Sequence, residues 1–328
     1  MRGRGVLVFV IIAAVQVSVP ARAADDPRQE RQWALAQIGA PAAWSSATGS
    51  GVRIGIVDSG VDLDHEDLAG QIVAHASCVG SAGDAARCAD TGQDLNGHGT
   101  HVAGIAAAVN GNGKGIAGVA PDAKLVVARV MSPAGTGTIE DINAGIRWVV
   151  DHGARVVNLS IGDPRFLITS LLGSELRSGV EYAWRHGAVP VLASGNTNPL
   201  GLGLLGSSNY GDLNAIVVAA TGPDGAIAPY SSPVGNAKWS IAAPGGDGRG
   251  GPDHDVLSTF WVAGQNDAYR ALAGTSMATP HISGAVALLL SKGLDPLKAV
   301  QRLLSTADPQ PDCACAGRVN LTQALSRP

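Results

Sequence analysis

Val52-Arg53-Ile54-Gly55-Ile56-Val57 is a short, β-branched, nearly unbroken apolar run, and it stops at Asp58-Ser59-Gly60. Apolar residues here are not confined to alternate positions, so the run reads as a strand buried on both faces. Runs of the same kind recur at residues 124–130, 155–159, 188–192 and 215–219. Helical patterns lie between them at 98–109, 139–152 and 174–186, and 33–44 reads as one or two short helical turns. Strands that alternate with helices predict an α/β fold. The expected architecture is a three-layer sandwich with a mainly parallel central sheet flanked by helices. In such a sheet the loops after the strands' carboxyl ends build the site, which draws attention first to Asp58.

Composition agrees with a folded enzyme-sized chain. Hydrophobic residues make up 45% and charged residues 15% of the 328, which excludes global disorder. A net charge of −4 leaves no basic footprint for nucleic acid. There is no internal repeat, low-complexity block or Pro/Ser linker, so one domain is expected over 33–328. Before it, Arg2 and Arg4, the apolar run 6–15 and Ala21-Arg22-Ala23 have the layout of a secretory signal, with cleavage expected after Ala23. The apolar run is shorter than the ~20 residues that span a bilayer, and no other stretch is long enough to anchor the mature chain. The protein is therefore expected to be secreted or periplasmic, a monomer without a membrane anchor or a nucleic-acid partner. In an oxidising compartment Cys78 and Cys88, ten residues apart in a polar loop, are expected to pair. Cys313 and Cys315 are separated by one residue, where a bridge would be strained, and their pairing stays open.

The chemistry-bearing strings are individually modest. Asp-Ser-Gly at 58–60 is also how many strands enter a turn. His98 stands in Asn96-Gly97-His98-Gly99-Thr100-His101-Val102-Ala103-Gly104, between two glycines that let other backbone approach the imidazole. A zinc pair of His98 and His101 is disfavoured, because the zinc-peptidase pattern sets its histidines four apart with a Glu between. Ser276 stands in Gly274-Thr275-Ser276-Met277-Ala278-Thr279-Pro280-His281, ahead of the apolar run 282–290. That places it near a helix N-terminus, where N–H groups favour developing negative charge. Asn196, in Ala193-Ser194-Gly195-Asn196, carries an amide able to donate to an oxyanion. The Gly-x-Ser-x-Gly elbow of α/β-hydrolases is absent, since Thr275 and Met277 flank Ser276.

Together, in the order Asp58, His98, Asn196, Ser276, these strings resemble the subtilisin-like serine peptidases, the subtilase family. The resemblance runs from about Trp33 to Leu325. It implies that Ser276 attacks the scissile carbonyl, that His98 serves as general base and acid, and that Asp58 orients His98. Asn196 and the Ser276 N–H would form the oxyanion hole. Ser160, Ile161 and Gly162 match the segment that pairs with substrate backbone, Gly135 belongs to the opposite wall, and Ala193, Ser194 and Gly195 line the approach. The partners implied are protein or peptide substrates of broad sequence, because backbone pairing makes little demand on side chains. No cofactor is required for catalysis. A structural calcium is implied at Asp67 and Asn112, with loop carbonyls as further ligands. The apolar stretches 165–172 and 199–206 are candidates for a substrate rim. The family's folding propeptide is not expected, because 24–32 is only a short extension. Two other readings suit the same strings: a catalytically weak or dead subtilase-fold binding protein, and a maturation protease dedicated to one substrate.

Overall fold

Seven parallel strands form the centre of the computed structural model, which describes residues 26–89, 91–161, 169–196 and 210–326, with backbone alone for 169–175. The strands are β1 (Arg53–Asp58), β2 (Ile72–Ser77), β3 (Lys124–Arg129), β4 (Val156–Leu159), β5 (Val189–Ala193), β6 (Ile216–Thr221) and β7 (Trp239–Pro244). Their order across the sheet is β2-β3-β1-β4-β5-β6-β7. Five of them fall on the runs read from sequence, with ends shifted by one or two residues. The order turns back at β1, which pairs with β3 on one side and β4 on the other. The carboxyl end of β1 is therefore the crevice that an open α/β sheet offers to a ligand.

Each strand feeds two cores, which explains the apolar continuity of the runs. Ile54, Ile56, Leu125 and Val127 face one side, where they meet α3 (His98–Ala107) and α6 (Thr275–Ser291). Val57, Val126 and Ala128 face the other, against α4 (Ile139–Asp151) and α5 (Thr169–Arg185). Gly55 has no side chain because Val149 of α4 occupies the space: a Cβ there would lie 2.7 Å from Val149 Cγ2. The short α1 (Trp33–Ile38) and α2 (Ala40–Ala43), with α7 (Pro296–Ser305) and α8 (Leu321–Ser326), complete the α6 side. Residues 275–290 of α6 are all buried, so this helix is apolar around its whole circumference and lies inside the molecule.

A two-stranded antiparallel hairpin, β8 (Val256–Val262) and β9 (Gln265–Leu272), covers α3. Ser258 Oγ donates to the His101 carbonyl and Thr259 Oγ1 to the Thr100 carbonyl, both at 2.7 Å. Two disulfides are formed: Cys78–Cys88, as expected, and Cys313–Cys315, with Cα atoms 5.1 Å apart. The α/β sandwich stands, and no helix among the described residues is long and apolar enough to cross a membrane. The signal-like segment, Gly162 and the stretch 199–206 lie outside the described residues, as do the side chains of 165–172.

Candidate active site

Asp58 ends β1 and is fully buried. Its Oδ1 accepts the Ser59 N–H at 2.7 Å and lies 2.7 Å from His98 Nδ1, so the carboxylate fixes which ring nitrogen carries the proton. Asp58 Oδ2 is buried without a hydrogen bond, so this carboxylate is only partly compensated. His98 opens α3 and is 27% exposed, which leaves its ring open to solvent on one side. The two flanking glycines work as their pattern suggests, though against different neighbours. A Cβ on Gly99 would sit 2.0 Å from the Gly60 carbonyl oxygen, so α3 can approach the β1 turn only with glycine there. Gly97 caps the helix at φ +100° and lies under the Phe260 ring.

Asp94 was not singled out by the sequence, yet it organises this half of the site. It is fully buried. Its Oδ1 accepts Ser59 Oγ at 2.9 Å, Asn96 N at 2.9 Å and Gly97 N at 3.0 Å. Its Oδ2 accepts Thr100 N at 3.0 Å and Thr100 Oγ1. Ser59 Oγ in turn accepts the Gly99 N–H at 2.9 Å. One carboxylate thus joins the turn that carries Asp58 to the helix start that carries His98. The only local signal was an Asp four residues before His98, which a turn residue mimics.

Ser276 lies in the first turn of α6, whose N-cap is Gly274, so Ser276 is not itself the cap. Ser276 Oγ donates to the Ser160 carbonyl at 3.0 Å, and Ser160 Oγ returns a 2.8 Å bond to the Ser276 carbonyl. That carbonyl is available because Pro280, four residues on, has no N–H to offer it. Asn158 supports the pair: its Nδ2 donates to Ser160 Oγ at 2.9 Å, and its Oδ1 accepts Ser283 Oγ at 2.8 Å. The β1–β4 register sets Ile56 beside Asn158, so continuing it by two residues brings Asp58 level with Ser160. The Asp58–His98 pair and the Ser276–Ser160 pair therefore stand at the ends of neighbouring strands.

Asn196 follows β5. Its Oδ1 accepts both Thr275 N and Thr275 Oγ1 at 3.0 Å, which fixes the amide with Nδ2 as its outward donor. Gly195 N donates to Thr275 Oγ1 at 3.2 Å. Ala193 and Ser194 are buried beside it, and Ser194 Oγ has no hydrogen bond. Ile161 is half-buried beyond Ser160. Gly135 lies in the turn 132–136 at φ +75°, and Asn96 Nδ2 donates to the carbonyl of Pro133, two residues before it, at 3.1 Å.

Asp67 and Asn112 come together away from these residues. Asp67 Oδ1 accepts Asn112 Nδ2 at 3.1 Å, and its Oδ2 accepts Ile116 N at 2.8 Å and Tyr269 OH at 2.9 Å. Burial pushes the Asp67 carboxyl above its ordinary pKa. Asp26, which the sequence did not single out, accepts Gly111 N at 2.8 Å and Gly113 N at 3.1 Å in the same loop. Lys114 turns away to Glu66 at 3.5 Å. Among the described residues no three His, Cys, Asp or Glu side chains gather as a metal centre. Asp67 Oδ2 is filled by its two donors, but Asp67 Oδ1 and both Asp26 oxygens each accept one hydrogen bond and keep a lone pair, and with the carbonyls of the glycine loop these are the oxygens a hard cation could use.

A parallel sheet with a buried Asp paired to a partly exposed His at its carboxyl end, beside a helix with serine in its first turn, is the frame of a serine hydrolase. The chain belongs to the subtilase family, whose model matches residues 49–321, and it is a subtilisin-like serine endopeptidase. It is 37% identical to thermitase of Thermoactinomyces vulgaris over 303 residues, covering 90% of this chain and 96% of that protein. It is also 37% identical to subtilisin Savinase of Lederbergia lenta, over 80% of this chain and 86% of that one. Among solved structures, a protease of Pseudoalteromonas arctica aligns with a TM-score of 0.78 and 31% identity, covering 93% of this chain and 99% of its own.

Proposed function

We propose that Ser276 is the nucleophile of this endopeptidase, His98 its general base and acid, Asp58 the group that orients His98, and Asn196 a donor to the oxyanion. The observation that carries the reading is the 2.7 Å contact of His98 Nδ1 with the buried Asp58, which leaves Nε2 as the nitrogen to take the serine proton. Ser276 Oγ attacks the carbonyl carbon as His98 accepts its proton, and the imidazolium then protonates the departing amine. Water repeats the sequence on the acyl-enzyme. The first-turn N–H groups of a helix have no intrahelical acceptor. Thr275 N is met by Asn196 Oδ1, and Met277 N and Ala278 N by the Gly274 carbonyl. The Ser276 N–H and Asn196 Nδ2 are left to bind the developing oxyanion.

Substrate backbone would run between the 160–162 segment and the turn at Gly135, with Ala193, Ser194 and Gly195 near the reacting residue. The substrate class is protein or peptide, with breadth following from backbone pairing. A calcium ion at Asp67, Asn112 and the newly recognised Asp26 would stabilise the fold and take no part in the chemistry. Secretion follows from the signal-like start and the two disulfides. A fluorophosphonate probe tests the core of the reading. Labelling should require both Ser276 and His98, and labelling that survives Ser276→Ala would refute it.

A further inference from the structure

We propose that Asp141 is a positioning residue for extended substrates: it locks the disulfide-closed lobe Cys78–Cys88 onto the first turn of α4 and so fixes the preceding turn 132–137, the wall to which Gly135 belongs. The inference rests on the reading that this wall bounds the substrate.

Asp141 is 4% exposed, yet it is a carboxylate. Its Oδ1 accepts Ser81 Oγ at 2.9 Å and Ala82 N at 3.1 Å, and its Oδ2 accepts Gly80 N at 2.9 Å. Its own N–H donates at 3.1 Å to Oγ1 of Thr138, the N-cap of α4 and the residue that follows the wall. Burial opposes its ionisation, but the donors from Gly80, Ser81 and Ala82 outweigh that and hold the carboxyl below its ordinary pKa. A charge at a helix N-terminus with three donors is also favoured by the helix dipole. The residue therefore joins three parts: lobe, helix start and wall.

The lobe is built to transmit position. The Cys78–Cys88 bridge closes it, and Ser77 and Ala89 exchange backbone bonds of 2.8 and 3.0 Å at its neck. Cys78 N donates to the Arg129 carbonyl at 2.7 Å, which ties the neck to the end of β3. Arg147 of α4 reaches the Gly83 carbonyl at 3.4 Å. Ala82, whose N–H meets Asp141, holds φ +53°, a conformation a non-glycine residue keeps only when its surroundings impose it.

Among the described residues the wall is anchored a second time, by Asn96. Within itself it is a tight turn, with Ser132 N to Thr136 O at 2.8 Å and Gly135 N to Ser132 O at 2.9 Å. Beyond that, Asn96, two residues before His98, holds the Pro133 carbonyl. Asp141→Asn keeps the N–H that meets Thr138, so the effect passes through the lobe: with the carboxylate's bonds to Gly80, Ser81 and Ala82 loosened, the first turn of α4 and the wall that leads into it can shift, while the Asp58–His98 and Ser276–Ser160 contacts, none of which involves the lobe, stay in place. The loss should fall on binding of long peptides and not on the chemical step.

The test compares a single-residue ester with peptides of increasing length, on wild type, Asp141→Asn and Ser81→Ala, with thermal melts to check folding. Asp141→Asn should raise KM for a hexapeptide about three- to tenfold, with kcat and the ester's kcat/KM nearly unchanged. Ser81→Ala, which leaves the carboxylate in place, should act in the same direction and less. Replacing both Cys78 and Cys88 by Ser should give the same signature, and combining it with Asp141→Asn should add little. A folded Asp141→Asn protein with an unchanged hexapeptide KM, or with equal losses on ester and hexapeptide, overturns the proposal. Binding of an uncleaved hexapeptide by Ser276→Ala separates the two readings. If wild type turns nothing over but that affinity depends on Asp141, the assignment of Ser276 fails and the role of Asp141 stands.

Discussion

At the scale of single residues, the site is held by groups that do not react. Ser276 is oriented by Ser160, which is free to do so because Pro280 releases a carbonyl. Asn196 is oriented by Thr275, so its value lies in which end of the amide points outward. Ser276→Ala should remove hydrolysis of a denatured protein substrate. Asn196→Ala should leave weak activity, since losing one oxyanion donor costs ~3–4 kcal/mol of transition-state stabilisation. Residual turnover by Asn196→Ala equal to wild type would remove it from the oxyanion hole. Asp94 works by joining the two turns that carry Asp58 and His98. Asp94→Ala should lower kcat about tenfold with KM little changed, the scale on which a small misplacement shows. Asp94→Asn keeps an acceptor for Ser59, Asn96 and Gly97, so its effect should be smaller. A KM effect without a kcat effect would argue that Asp94 shapes binding instead.

At the scale of elements, the strands that were legible in the sequence are those buried on both faces. β2 was not read as a strand because it is an edge strand with mixed burial, and its Val73 is exposed. β7 carries Ser, two Ala and a terminal Pro, residues with little strand character that an edge tolerates. β9 is largely polar and half-covered, so no period of two marks it. For the site, the residues inside long strings could be read, whereas those that connect strings could not. Ser160 was read only as part of the segment that pairs with substrate; that it also meets Ser276, and that Asn158 meets Ser283, each across more than a hundred residues of chain, no local pattern announces. The apolar helix α6 was legible, and its burial makes a clear prediction. Leu288 is fully buried, so Leu288→Ala should cost ~2–5 kcal/mol in denaturant unfolding. A loss under half a kilocalorie would mean that the α6 core is looser than its burial indicates.

At the scale of the molecule, stability should depend on both cation and pH, and the two can be separated. If calcium binds between Asp26, Asp67 and Asn112, EGTA should lower the melting temperature of wild type and leave Asp67→Asn unaffected; an unchanged wild-type melt counts against the ion. The pH effect has a different origin. His101 and His281 are wholly buried, and burial pushes their pKa values down from 6.5 to about 3 and about 4. Both nevertheless have partners: His101 Nε2 lies 2.9 Å from the Arg270 carbonyl and His281 Nδ1 2.9 Å from the Met277 carbonyl. Above pH 6.5 both are neutral, folded or unfolded, and contribute no slope. As pH falls below 6.5 the unfolded chain takes up two protons that the fold refuses, so stability falls until the folded values are reached. The slope approaches ~1.4 kcal/mol per pH unit for each histidine within that window. Asp62 and Asp67 work in the opposite sense, since burial raises their pKa values and the fold gains protons first as acid is added. The histidine effect sets in as pH drops through 6.5, so denaturation midpoints should start to fall there. In His281→Asn, roughly half of that early slope should be missing. A midpoint that stays flat from neutral pH down to the carboxylate range would show that these two rings are not buried neutral in solution.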